Sequence, residues 1–293
     1  MIDLHIHSTN SDGSKTVKEI LKEAQNMGLT TISFTDHESC GAYNELENIN
    51  IKDYYDGKII NGIELKSQYK DLVLDILGYG IDYKKMEKYL EKIFKNISRE
   101  KIQELILLEF YKIGLKKKLT LRPVNELKWD TTREWASIVF YDEIKSHIEN
   151  KSKVPVDFWE NFINFRQNYY HIKENDFYIN MAKYYPTMQQ IIDIIHKSGG
   201  KAFIAHIFQY KEIEDKISEL KEIISKYDID GIECYHSIFS NEENRKLLEF
   251  TKQNNLLISG GSDYHGKNKP DIVLGRGKEN LEIPDEILTN WNL

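Results

Sequence analysis

His5 and His7 stand one residue apart at the end of the first apolar run, MIDLHIH, and Asp12 follows five residues later. Ile2, Leu4 and Ile6 make one face of a period-2 pattern; Asp3, His5 and His7 make the other. On a strand the two imidazoles point the same way, about 6–7 Å apart. That spacing suits two nitrogen ligands on one metal ion. The same kind of ending recurs down the chain. TISFTDH stops at Asp36 and His37, KIINGIEL carries Glu64, and KAFIAH stops at His206. IDGIECYH ends in Glu233 and His236, and LLISGGSDYH in Asp263 and His265. One such ending is unremarkable. Six are poorly explained as core filler, because buried polar groups are costly unless paired or metal-bound. The residues predict a multinuclear metal site, and their nitrogen and oxygen donors suit Mn, Fe or Zn.

Such donors converge only if the strands run parallel with their C-terminal ends on one face. Up to residue 81 the pattern alternates strand and helix: IDLHIH, a helix through VKEILKEAQNMG capped by Thr16 and Glu19, LTTISFTDH, a short helix GAYNELEN, then strands KIINGIEL and DLVLDILGYG. The rhythm resumes after 185 with TMQQIIDIIHKSGG, KAFIAH, EIEDKISELKEIISKY, IDGIECYH, NEENRKLLEFTKQNN and LLISGGSDYH. This predicts an α/β unit of parallel strands with helices outside, built from 1–81 and 186–293. Residues 82–185 carry long helical, charged and aromatic segments without strand patterns, and predict a helical insertion. Its aromatic run FWENFINFRQNYYH reads as insertion core.

A net charge of −7 argues against a large duplex nucleic-acid footprint. Lys116, Lys117, Lys118 and Arg122 read as a solvated face, with guidance of an RNA backbone as the functional alternative. The two cysteines, Cys40 and Cys234, make no metal or disulfide pattern and read as small buried residues of a cytoplasmic protein. No apolar run approaches membrane-spanning length, so no membrane partner is expected. SDGSKT lacks P-loop spacing. His147, His171 and His196 read as surface or packing residues.

In order, HIHSTNSDGS, TDH, GIEL, AH and GGSDYHG resemble the polymerase-and-histidinol-phosphatase (PHP) metal-dependent phosphoesterases. ILGYGID and DGIECYHS resemble the branch holding nucleoside 3′,5′-bisphosphate phosphatases and a 5′-to-3′ RNA exonuclease. The resemblance implies a distorted (β/α)7 barrel with a helical insertion, or cap, and two or three divalent ions: Mn by preference, with Fe or Zn as alternatives. It implies that His5, His7, Glu64 and Asp263 hold one ion, that Glu64 and His206 share a second, and that Asp12, His37 and His265 hold a third. Asp75 stands where the family usually has His. It is either a ligand that favours harder ions such as Mn, or an ion-pair partner. Ile207 replaces the family's usual Pro after the AH histidine.

The catalytic candidates are Asp263, His236 and Arg133. Arg133 lies in TTREWA, where the branch carries a phosphate-binding Arg. His236 contacts substrate, supplies a proton to the leaving oxygen, or orients a neighbour. Glu233 orients neighbours. The expected activity is hydrolysis of a phosphate monoester of a small nucleotide, such as a nucleoside 3′,5′-bisphosphate, or of a short RNA end. The alternatives are histidinol-phosphate hydrolysis and a non-catalytic, metal-retaining domain that serves a partner.

Overall fold

Not only Ile2, Leu4 and Ile6 but also Asp3, His5 and His7 are buried. Strand β1 (Ile2–Ile6) is therefore covered on both faces, as in the interior of an α/β unit. The computed structural model describes residues 1–95, 97–131, 134–170, 172–277 and 282–292. In it β1 pairs parallel with β2 (Thr31–Phe34), and β2 with β3 (Lys58–Ile59). A second sheet runs β4 (Gly62–Tyr69), β5 (Leu72–Tyr79), β6 (Lys201–Ile204), β7 (Gly231–His236) and β8 (Leu257–Gly261).

Two expectations need correction. β5 runs antiparallel to β6, although β6, β7 and β8 are parallel. The short link from β4 to β5 has no room for the crossover that a parallel neighbour needs. The sheets also do not close into a continuous seven-stranded ladder. Single parallel bridges join Ile6 to Tyr264 and His37 to Glu64. Next to each bridge the backbone turns left-handed, at Asp263 (φ 57°) and at Glu38 (φ 46°), and the ladder stops after one pair.

The chain forms two compact units: Met1–Tyr69, Val73–Lys92 and Pro186–Leu293 make the first; Lys70–Leu72 and Ile93–Tyr185 make the second. In the first, Thr16 and Glu19 form the capping box of α1 (Val17–Asn26). After α2 (Gly41–Leu46) comes α3 (Tyr83–Ile93), which the first unit holds as far as Lys92. Asn44 bonds Glu87 at 2.5 Å and Lys84 pairs with Glu47 at 2.6 Å, so the unit boundary falls later than residue 82.

The second unit contains α4 (Arg99–Lys116), α5 (Ala136–Ser146), α6 (Val156–Glu160) and α7 (Phe162–Phe165). Its core stacks Phe110 on Phe140, with Phe158, Phe165 and Phe177 around them. Lys117 pairs with Asp176, and Arg122 bonds buried Glu143 twice, at 2.7 and 3.0 Å. His147 shares Glu143. His171 lies outside the described residues.

The first unit resumes with α8 (Met188–Lys197), α9 (Lys216–Lys226) and α10 (Asn241–Asn254). Beneath the strand ends Ile2, Leu4, Tyr79, Phe203 and Trp291 pack together. The buried Tyr79 hydroxyl donates to Leu4 O, and Trp291 Nε1 to Ile258 O. Cys40 and Cys234 are buried free thiols, and burial pushes Cys40 up to about 12. Among the described residues no helix is long and apolar enough to cross a membrane.

Candidate metal centre

Glu64, near the start of β4, is the hub. Its Oε2 lies 3.2 Å from His5 Nε2, 3.1 Å from His7 Nε2 and 3.3 Å from His37 Nδ1. Its Oε1 takes a hydrogen bond from His206 Nε2 at 2.9 Å. Asp263 Oδ1 faces the same two strand imidazoles, 3.6 Å from His5 Nε2 and 3.5 Å from His7 Nε2. On the open side, Asp12 Oδ1 sits 3.2 Å from His265 Nε2, and Oδ2 3.9 Å from His37 Nε2. The Asp12 side chain is 58% exposed, so the mouth of the site lies there. Asp75 offers an oxygen to His37 and Glu64, with His206 Nε2 3.9 Å away. His236 Nε2 lies 3.4 Å from Asp263 Oδ2.

The structure thus brings together His5, His7, Asp12, His37, Glu64, Asp75, His206, His236, Asp263 and His265. Arg133 lies outside the described residues. Asp36, a strand-end carboxylate like the others, has a different task. It accepts Ser8 N and Ser8 Oγ at 2.7 Å and Ser11 Oγ at 2.6 Å, which pins the loop that carries Asp12.

Hydrogen bonds on the far nitrogens fix the orientation of two of the rings. His5 Nδ1 donates to Glu233 Oε1 at 2.8 Å, which turns Nε2 toward Glu64 and Asp263. Glu233 Oε2 also accepts His206 N at 2.8 Å. His265 Nδ1 donates to the Asp263 carbonyl at 2.9 Å, so its Nε2 faces Asp12. Burial, helped by Lys66 and His7, holds His37 well below the usual imidazole range against the pull of Glu64.

The charges answer one another. Burial opposes charge on His5, but Glu233, Glu64 and Asp263 hold it well above its usual value; His7 is pushed up to about 9 against burial by Asp263 and Glu64. Glu64 and Asp263, also against burial, are held well below the usual carboxylate range by the histidines around them. Even so, His5 Nε2, His7 Nε2, His206 Nδ1 and Asp75 Oδ1 are buried with no hydrogen-bond partner. Such atoms are rare in a folded interior, and divalent ions would satisfy them. The residues present therefore fit a cluster of metal ions.

Asp3 is the site residue that sequence reasoning passed over. Its carboxylate accepts Ser262 N at 2.9 Å, Ser262 Oγ at 2.6 Å, Gly275 N at 2.7 Å and His5 N at 3.2 Å. It ties β1 to the turn that presents Asp263. The available signal was an Asp inside the apolar strand IDLHI, on the same face as the two histidines. Gly261 belongs to the same joint: a Cβ there would meet His5 Cβ and N at 2.3 Å, so the strands can approach this closely only at glycine. Lys269, also unforeseen, reaches Asp263 Oδ2 at 2.5 Å.

An α/β unit of mainly parallel strands with clustered histidines and carboxylates at its strand ends is the frame of a metal-dependent hydrolase. The chain belongs to the PHP domain family, whose model matches residues 3–244. It is 24% identical to the 5′-3′ exoribonuclease Rnm of Escherichia coli, over 99% of this chain and 92% of that protein. It is 22% identical to the phosphoribosyl 1,2-cyclic phosphate 1,2-diphosphodiesterase of Eggerthella lenta, over 90% of this chain and 94% of that one. Among solved structures, a Bifidobacterium adolescentis chain assigned to the metal-dependent phosphoesterases superposes with a TM-score of 0.63 at 21% identity, over 99% of this chain and 94% of its own. An amidohydrolase of Chromobacterium violaceum, solved with sulfate and no metal, gives 0.62 at 19% identity, over 98% and 96%. The protein is a metal-dependent hydrolase of phosphate esters.

Proposed function

We propose that this phosphoesterase acts on a phosphate carried by ribose: a small nucleotide such as a nucleoside 3′,5′-bisphosphate, or the end of a short RNA. The observation that carries hydrolysis is Glu64, placed within 3.3 Å of three imidazoles through one oxygen and hydrogen-bonded to a fourth through the other. The ribose reading is supported by the relatives' names, which join an exoribonuclease and a phosphoribosyl phosphodiesterase.

His5, His7, Glu64 and Asp263 would hold one ion, Glu64, His206 and Asp75 a second, and Asp12, His37 and His265 a third. Ions in such a cluster supply a water-derived nucleophile at neutral pH and neutralise phosphoryl oxygens. The protein's own groups do the rest. Glu233 keeps the His5 proton on Nδ1 and anchors the His206 backbone. His236 Nδ1 accepts Ile238 N at 3.3 Å, so its proton stays on Nε2, beside Asp263. From there His236 can donate a hydrogen bond to the leaving oxygen. Lys269 adds a cation at the same edge. The oxygen donor at Asp75 favours Mn.

The test is a turnover panel with Mn, Mg or Zn: nucleoside 3′,5′-bisphosphates, 5′-phosphorylated RNA oligomers, a phosphoribosyl cyclic phosphate and histidinol phosphate. Phosphate release is measured and products are separated by chromatography. Turnover of a ribose phosphate with Mn, abolished by Glu64→Gln, is expected. Turnover of histidinol phosphate alone would overturn the ribose reading. Full metal content with no turnover anywhere would leave a metal-retaining domain.

A further inference from the structure

His206 and Tyr210 flank one tight turn, Ile207–Gln209, and both meet β5 at Asp75. The Tyr210 hydroxyl makes two bonds to that single residue. It accepts Asp75 N at 2.8 Å and donates to Asp75 Oδ2 at 3.1 Å. Holding one residue by its backbone and its carboxylate fixes the direction of the carboxylate. Oδ2 takes the phenol's hydrogen bond while lying 3.9 Å from His206 Nε2, and Oδ1 is buried with no hydrogen-bond partner. The phenol is itself held in place. Its ring lies 5.6 Å from the His206 ring, and its main-chain carbonyl accepts Lys216 Nζ at 2.7 Å. A carboxylate oxygen buried without a partner beside a second carboxylate, Glu64, is costly unless a cation completes it. Asp75, Glu64 and His37 each offer a donor atom within 4.8 Å of the others.

We infer that Tyr210 is a positioning residue for metal selection. It fixes the Asp75 carboxylate beside Glu64 and His206, and so builds a subsite richer in oxygen than an imidazole at position 75 would give. Oxygen donors select Mn or Mg over Zn, and a fixed outer partner sharpens that choice by holding the ligand in one orientation. The inference rests on the reading of these clusters as ion sites. It adds a residue that touches no ion and a preference that follows from it.

The experiment compares metal-stripped parent, Tyr210→Phe, Asp75→Asn, Asp75→His and the double variant Tyr210→Phe/Asp75→Asn. Each is titrated calorimetrically with Mn and with Zn, and bound ions are counted by mass spectrometry. Circular dichroism and thermal melts select folded variants. Loss of an outer partner costs about 10- to 100-fold in metal affinity. Tyr210→Phe should weaken one Mn site by about that factor while Zn weakens less. Asp75→His should turn the preference toward Zn. In the Asp75→Asn background the Tyr210 change should add little, because both act through one carboxylate. An unchanged Mn/Zn ratio in Tyr210→Phe, or full additivity in the double variant, overturns the inference. If the parent loads its ions and hydrolyses nothing, the proposed function fails and the Tyr210 inference stands. If it hydrolyses ribose phosphates and Tyr210→Phe keeps the parental ratio, the inference alone fails.

Discussion

Replacing Asp3 by Ala should cost both stability and metal. The carboxylate receives three backbone N–H groups, from His5, Ser262 and Gly275, and one hydroxyl, from Ser262. Asp3 is fully buried. A buried donor left unsatisfied costs about 1–3 kcal/mol. Three such donors, partly relieved by water entering the space of the lost carboxylate, set the loss at about 3–5 kcal/mol, a large part of a typical folding free energy. At about 2–4 °C per kcal/mol for a domain of this size, Tm should fall by about 6–20 °C. Asp3→Asn separates shape from charge. Its amide oxygen can serve one pair of donors, but its NH2 then faces either Gly275 N or the His5 and Ser262 amides. The loss should be intermediate, about 1–3 kcal/mol. Because Ser262 precedes Asp263, both variants should also bind fewer ions, Ala more severely than Asn. Thermal melts of metal-stripped protein and ion counts after reloading decide the matter. A Tm within about 2 °C of the parent for Asp3→Ala, with full metal content, would refute the role given to this carboxylate.

Asp36→Ala should release the loop held through Ser8 and Ser11, so that the ion assigned to Asp12, His37 and His265 is lost while the one at His5 and His7 is kept; ion counting should show one fewer. Gly261→Ala should force β8 off β1, cost about 1–3 kcal/mol by overpacking and lower metal content, as melts and ion counts will show. His196 and Asp230 pair at 2.8 Å. Their hydrogen bond raises His196 against burial; Asp230, against burial, is lowered by the same bond and by Ala202 N. The His196 contribution is therefore full below its ordinary value of 6.5 and lost as pH rises through its raised pKa. The Asp230 contribution is full above its ordinary value of 3.8 and lost as pH falls through its lowered pKa. His196→Gln should be less stable than the parent by up to about 1 kcal/mol near pH 6, and the two melts should converge as pH rises through the raised His196 pKa. A gap that stays constant with pH would contradict this.

The donors at the strand ends were legible because residue type and strand period carry them together: His5 and His7 share a face, and Glu64, His206, Asp263 and His265 each stand at the end of an apolar run. The helix start at Thr16 is a local event, closed by Glu19 three residues on, and so was equally readable; the same capping boxes at Thr187 and Ser240 were not read. What distant contacts decide was not. Asp263 takes φ 57° while its neighbour Ser262 is held by Asp3 from the other sheet, and no local signal announces that turn. The segment VDFWENFINFRQNYY places aromatics three to five apart, which reads as one helix. The structure breaks it at Asn161, whose extended backbone and side chain cap a new turn at Asn164. Asp36 looked like the other strand-end carboxylates because sequence reports a carboxylate at a strand end but not the direction in which it points.

Asp3 and Ser262 are 259 positions apart, and their bonds close the joint on which His5, His7 and Asp263 depend. During translation, at about 5–20 residues per second, the first two histidines exist for roughly 13–50 s before Asp263 is made. In that interval they have Asp12 and Glu64 but lack Asp263, and the second unit has been synthesised between the halves of the first. Loop closure over so long a stretch must precede any complete coordination shell. Tight metal capture is thus a late event in the life of each molecule, and a nascent chain stalled before β8 carries the histidines without the closing carboxylate.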